Sequence, residues 1–152
     1  MTGLVTFDTN VLIYAVDGRE AIKQEIAEQL IGRGPSIGAI LTTVVIGEFF
    51  SVATRKSYLE SKDAIQQIED YLFTFPVVSY NERHLLIAAR ESAAGRFSFW
   101  DAVMLASAEE AACTLCYSED MADGARLGSI TVRNPFGPRG LNEEARAYLG
   151  MS

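Results

Sequence analysis

Leu4-Val5-Thr6-Phe7-Asp8-Thr9-Asn10-Val11-Leu12-Ile13 is the stretch on which the fold turns. Leu4 to Phe7 is a short β-rich run. Asp8 and Asn10, directly after it, can each cap a helix by accepting from the unpaired N–H groups of its first turn. A strand that feeds straight into a helix is the expected opening of a layered α/β chain. The same stretch holds an anomaly, because Asp8 stands between apolar residues. Two more acids interrupt apolar runs, Glu48 in Val44-Val45-Ile46-Gly47-Glu48-Phe49-Phe50 and Asp101 in Phe97-Ser98-Phe99-Trp100-Asp101-Ala102-Val103-Met104-Leu105. All three are expected to be drawn toward the interior. An ionised carboxylate leaves water only at high cost unless a cation, a metal or several hydrogen bonds compensate it. A divalent ion shared among them is the simplest common answer, since hard cations such as Mg²⁺ take oxygen ligands and often only one or two direct carboxylates.

Working outward, apolar residues recur at helical spacing over residues 19 to 31 until Gly32-Arg33-Gly34-Pro35 breaks the pattern. A short strand is expected around Ile37 to Leu41, then a helix from about Thr43 to Lys56 carrying Glu48. Helices follow over about Ser61 to Phe73 and Asn81 to Ala94, the second introduced by Ser79-Tyr80-Asn81-Glu82, a capping-box pattern. Pro76-Val77-Val78 between them is a strand candidate. A helix opening at Ser98-Phe99-Trp100-Asp101 is expected to run to about Ala112, followed by strands at Thr114 to Tyr117 and around Ile130 to Arg133. Strands alternating with helices predict an α/β fold on a mainly parallel sheet. Residues 1–136 read as this domain, and 137–152 as a tail with a short, loosely attached helix.

The totals suit one domain: 152 residues, 49% hydrophobic. Thirteen basic against twenty acidic residues give a net charge of −7, which argues against gripping nucleic acid by bulk electrostatics. Acids that hold a divalent ion reverse the field a phosphate feels locally, so the site matters more than the sum. Cys113 and Cys116 form a C-x-x-C, but Ala111-Ala112-Cys113-Thr114-Leu115-Cys116-Tyr117 reads as entry to a buried strand, so small core thiols are expected rather than a redox or zinc pair. There is no basic n-region at the N-terminus and no apolar run of membrane-spanning length, so a soluble cytoplasmic protein without a membrane role is the expectation.

In parallel sheets ligands bind beyond the carboxyl ends of the strands. Asp8 follows the first strand and Asp120 follows the Thr114 to Tyr117 strand by three residues, so both belong to that edge. Each acid also has a plain structural reading. Asp8 can be only an N-cap, Asp101 the fourth position of a capping box with Ser98, Asp120 a turn residue, and Glu48 the partner of Arg55 or Lys56. These explanations have to hold four times over.

The ordered series Asp8-Thr9-Asn10-Val11-Leu12-Ile13-Tyr14-Ala15, Glu48-Phe49, Trp100-Asp101-Ala102, Tyr117-Ser118-Glu119-Asp120-Met121 and Val132-Arg133-Asn134-Pro135-Phe136 resembles the PIN domain family, specifically the VapC-type toxin ribonucleases of bacterial toxin-antitoxin pairs. The likeness spans nearly the whole chain. It implies a three-layer α/β/α sandwich and a Mg²⁺- or Mn²⁺-dependent endoribonuclease. It also implies a homodimer, with an RNA substrate and a small antitoxin protein as partners. Asp8, Glu48, Asp101 and Asp120 match the family's metal-binding, catalytic acids, with Glu119 or Asp123 near enough to replace Asp120. Asn10 and Ser118 match positions that order the site. Such chemistry needs no histidine. His84, the only one, is expected at an ordinary surface position of its helix.

Other readings fit less well. A haloacid dehalogenase phosphatase wants a second Asp where this chain has Asn10, and a phospho-receiver domain wants a late lysine, whereas no lysine follows Lys62. An idle PIN-like binding or scaffold module is the rival from another class, and a PIN nuclease of RNA processing the rival within it. Arg96, Arg83, Arg126 and Arg133 are positional candidates for RNA contacts, Arg96 being nearest Asp101 in sequence.

Overall fold

A computed structural model describes residues 3–137, 140–141 and 143–148. Strand β1 (Leu4–Phe7) runs into α1 (Thr9–Tyr14), with Asp8 in extended geometry as N-cap. After α2 (Ala21–Arg33), the chain makes a 3-10 turn at Gly34–Ile37 and then β2 (Leu41–Thr42) and α3 (Thr43–Arg55). Next come α4 (Ser61–Thr74), β3 (Val77–Val78), α5 (Glu82–Ala93), α6 (Phe99–Glu110) and β4 (Cys113–Tyr117). Strands β5 (Arg126–Leu127) and β6 (Ile130–Arg133) complete the sheet, and β7 (Phe136–Gly137), β8 (Gly140–Leu141) and α7 (Glu143–Tyr148) follow.

The main sheet has the order β1-β4-β6-β5, parallel except for β5. A parallel pair, β2-β3, joins it through a parallel bridge between Thr6 and Ile40, tightened by the Thr6 hydroxyl donating to the Ile40 carbonyl at 2.8 Å. Helices cover both faces, giving the three-layer α/β/α arrangement. Sheet strands buried on both sides are nearly continuous hydrophobic runs; Val5 and Phe7 are fully buried, as are Cys113 and Cys116. Phe7 stacks on Tyr117 across β1 and β4 with centroids 6.3 Å apart and meets Phe75 edge-on at 6.5 Å. These rings lock the two strands that end at the site.

The expected strand at Ile37 to Leu41 is shorter and later than its sequence suggests. Pro35 sits at the start of a 3-10 turn, where its missing N–H costs nothing, and Gly38 at φ +77 ends it, so pairing begins only at Ile40. Strand β5 was not expected; it folds back on β6 through Gly128-Ser129, with Gly128 at φ +58, a two-residue hairpin signal that the sequence does carry. Helix α5 is capped by Asn81, with His84 rather than Glu82 returning the bond. In the tail, Ala145 of α7 is buried as part of the core, and β8 packs near α2.

Candidate active site

Asp8 is the centre of the site. Its backbone N–H donates to the Tyr117 carbonyl at 2.9 Å, which aligns the carboxyl ends of β1 and β4. One carboxylate oxygen accepts from the Thr9 N–H at 2.7 Å. The other accepts from the Ser118 hydroxyl at 2.7 Å and from Asn10 Nδ2 at 3.2 Å. The residue is only 5% exposed. Burial drives its pKa up from an ordinary 3.8 to about 6. The bonds from Ser118 and Thr9 pull it down and the charges of Asp101 and Glu48 push it further up. Asp8 is thus the N-cap that local reading allowed, and also the acid on which two distant acids act.

Asn10 and Ser118 tie this carboxylate to the next strand. Asn10 Nδ2 also donates to Ser118 Oγ at 3.1 Å, and its Oδ1 accepts from the Glu119 N–H at 3.2 Å. Ser118, fully buried, accepts through its hydroxyl from the N–H groups of Asp120 at 3.1 Å and Met121 at 3.4 Å. The turn after β4 is therefore built around one hydroxyl whose proton points at Asp8.

Glu48 lies midway along α3, Asp101 in the first turn of α6, and Asp120 in the turn after β4. Glu48 is exposed, against the expectation that it would be drawn inward. Its helix turns this position to the groove, while Val45, Ile46 and Phe49 take the core side. Asp120 does sit in a turn, but the capping box for Asp101 and the ion pair for Glu48 are not formed among the described residues. Ser98 is the N-cap of α6 but its side chain caps nothing, and neither Arg55 nor Lys56 bonds Glu48 among the described residues. Glu48 and Asp120 line one groove of about 250 Å³ together with Asn10, Tyr14, Lys56 and Tyr58. Asp101 reaches the site through its charge on Asp8, from half-buried ground.

Neither alternative to Asp120 is free. Glu119 accepts from Tyr14 at 2.5 Å and pairs with Lys23 at 2.7 Å; burial alone would raise its pKa, but these two bonds prevail and hold it low. Asp123 accepts from the Asn134 N–H at 2.9 Å. Of the arginines considered for RNA, Arg96 is tied to Glu91 at 2.6 Å and Arg83 to Glu110. His84, expected at the surface, is instead 1% exposed; its Nδ1 accepts from the Asn81 N–H at 2.9 Å and its Nε2 lies 2.6 Å from Glu110. One polar ring closing a capping box from inside is a local hydrogen-bond demand that periodicity does not reveal. Burial pushes the Cys113 thiol up to about 12 and raises that of Cys116 as well, so neither is a ready thiolate.

Among the described residues no three acids, histidines or cysteines lie close enough together to cage a metal ion. The oxygen donors nevertheless suit a hydrated hard cation. The side chains of Glu48, Asp101 and Asp120 have no hydrogen-bond or ion-pair partner among the described residues, and Mg²⁺ is commonly bound through one or two carboxylates with water filling its other positions.

The sequence profile of the PIN domain family matches residues 5–122. The chain belongs to the PIN domain family. No curated protein sequence matches it. Among solved structures, this PIN domain is similar to the toxin VapC20 of Mycobacterium tuberculosis, which cleaves the sarcin-ricin loop: TM-score 0.64, 18% identity, 76% of this chain and 89% of that one covered. VapBC-1 of nontypeable Haemophilus influenzae aligns at TM-score 0.60 and 18% identity over 86% of this chain and 97% of that one. VapBC2 of Rickettsia felis, bound to a DNA fragment from its promoter, aligns at TM-score 0.60 and 12% identity over 86% and 98%. At such identities these likenesses establish a shared fold. No helix among the described residues is long and apolar enough to cross a membrane.

Proposed function

We propose that this PIN domain is a metal-dependent endoribonuclease that hydrolyses RNA phosphodiester bonds, the toxin of a toxin-antitoxin pair. The observation that carries the reading is Asp8. It is a buried carboxylate with its protonation raised by burial and by two neighbouring acids, at the carboxyl edge of a parallel sheet and beside an open groove. A protein that stores this much unfavourable charge without a cation gives up stability, a pattern typical of functional sites.

In this reading Asp8, Glu48, Asp101 and Asp120 hold Mg²⁺ or Mn²⁺, while Asn10 and Ser118 fix the carboxylate of Asp8. The chemistry such an ion supplies is positive charge for the phosphoryl oxygens and water acidified toward neutral pH. The chain's own contribution is geometric. Ser118 and Asn10 hold one Asp8 oxygen by two bonds, and the Asp120 N–H is anchored on Ser118, so the two sheet-edge acids keep a fixed relation. Glu48 and Asp120 face the groove where substrate enters. His84 takes no part, being buried among α5 and Glu110. The named VapBC neighbours support a small antitoxin protein as partner; a cytoplasmic homodimer is part of the same proposal and rests on the family resemblance alone.

The test is cleavage of RNA by wild type and Asp101→Asn with Mg²⁺ or Mn²⁺. Loss of cleavage with RNA binding retained supports the enzyme. The wide spacing of the acids favours a second reading, a PIN domain serving as a binding module with an idle site. RNA binding by wild type without cleavage under any divalent ion would establish that one.

A further inference from the structure

Glu48 forms a wall common to two grooves. One, of about 600 Å³, is lined by Val44, Gly47, Ser51, Arg55 and Trp100; the other, of about 250 Å³, by Asn10, Tyr14, Lys56, Tyr58 and Asp120. Each groove therefore sets an aromatic ring beside a cation, Trp100 with Arg55 and Tyr58 with Lys56; Tyr14, the second ring of the smaller groove, is engaged by Glu119 and Lys23. Arg55 ends α3 and Lys56 caps it, and successive helical residues point about 100° apart, which sends one cation to each side of Glu48. Both are exposed, and neither makes a hydrogen bond or ion pair with a described residue. Trp100 is 51% exposed and packs in T-shaped contacts with Phe99, at 5.1 Å between centroids, and with Tyr80, at 5.8 Å. Tyr58 is half-buried and carries the Arg19 guanidinium over its ring at 4.8 Å.

We propose that these two grooves are the path of single-stranded RNA across the site. Bases stack on Trp100 on one side of Glu48 and on Tyr58 on the other, and Arg55 and Lys56 hold the phosphates next to them. Aromatic platforms interleaved with cations are how single strands are bound, because every base has a π-face and every step a phosphate. Bases in a duplex are already stacked and offer no face to such rings, so the substrate class is unpaired RNA. The arrangement also answers the chain's net charge of −7: two local cations replace a basic surface. The path rests on the nuclease reading only for its direction across the acids.

The test uses the full chain carrying Asp101→Asn, in Mg²⁺, with labelled uridine and adenosine oligoribonucleotides of about eight residues, bound over a range of salt. Arg55→Gln and Lys56→Gln are each expected to lower the slope of log K against log salt by about 0.7, the value for one single-strand phosphate. Lys62→Gln, on exposed α4, should leave it unchanged. Trp100→Ala and Tyr58→Ala are expected to raise Kd by about 10-fold or more, Trp100→Phe by less, and duplex RNA should compete poorly. Thermal unfolding checks that the ring variants fold; the two exposed cations test the path without them. Unchanged slopes in both cation variants, duplex binding as tight as single strand, or no RNA binding at all would overturn the path. Cleavage by wild type with unchanged slopes would discard the path and keep the nuclease. Lowered slopes without cleavage under any divalent ion would do the reverse.

Discussion

Replacing Asp8 by Asn should make the metal-free protein more stable, and the gain should depend on pH. Burial, with Asp101 and Glu48 adding to it, raises the Asp8 pKa from 3.8 to about 6, so the native state holds this proton more tightly than the unfolded chain does. Below about pH 4 both states are protonated and Asp8 imposes no penalty. As pH rises through 6 the native carboxylate must ionise inside the protein and stability is lost. A difference of about 2 in pKa corresponds to ~3 kcal/mol, fully felt above about pH 7. Asparagine removes that penalty but mismatches one bond. With its Oδ1 kept toward the Ser118 hydroxyl and Asn10 Nδ2, its NH₂ cannot accept from the Thr9 N–H, a cost of about 1 kcal/mol. The net gain at about pH 8 is ~2 kcal/mol, or roughly 4–8 °C in Tm at this chain length. Near pH 4 the variant should be the less stable protein by ~1 kcal/mol, so the two curves should cross between those values. The assay is thermal unfolding in EDTA across that range. A difference that does not change with pH, or a wild type that melts higher at about pH 8 in EDTA, would refute the reasoning.

Four other outcomes are expected. Millimolar Mg²⁺ or Mn²⁺ should raise the Tm of wild type by a few degrees, about 1.4 kcal/mol at ten times Kd, and leave Asp8→Asn unmoved; equal shifts in both would dissociate the acids from the ion. Ser118→Ala strips one bond from Asp8 and the acceptor from the Asp120 and Met121 N–H groups, so it should cost ~2–3 kcal/mol in urea unfolding and raise the Asp8 pKa further, read by NMR titration. Lys23→Met leaves Glu119 with Tyr14 alone; a loss of about 1 kcal/mol and a rise of the Glu119 pKa are expected, and no rise would show that Tyr14 suffices. Cys113 and Cys116 should resist thiol reagents in the folded protein and react once it unfolds.

The sequence by itself determined the elements and the edge of the sheet. Apolar runs at periods suited to strand and helix place α2 to α6 within a few residues of where they lie, because helix stops such as Gly32-Arg33-Gly34-Pro35 act locally. Asp8, interrupting an apolar run directly after a strand, was legible as an acid at the sheet's carboxyl edge for the same reason. The sequence also carried the Gly128-Ser129 hairpin as a dipeptide, although β5, at two residues, is too short to show a strand period of its own.

Tertiary packing alone decided which acids are buried and which cations are free. Glu48 stands in an apolar run yet faces solvent, and His84 stands among charges yet is enclosed, because burial depends on which neighbour covers a helix face rather than on flanking residues. Arg55 and Lys56 read as partners for Glu48, whereas the fold sends them to opposite sides of it, and Arg96, nearest Asp101 in sequence, spends its charge on Glu91. Charge pairing falls off steeply with distance in water, so a few ångström set by helix packing decide it.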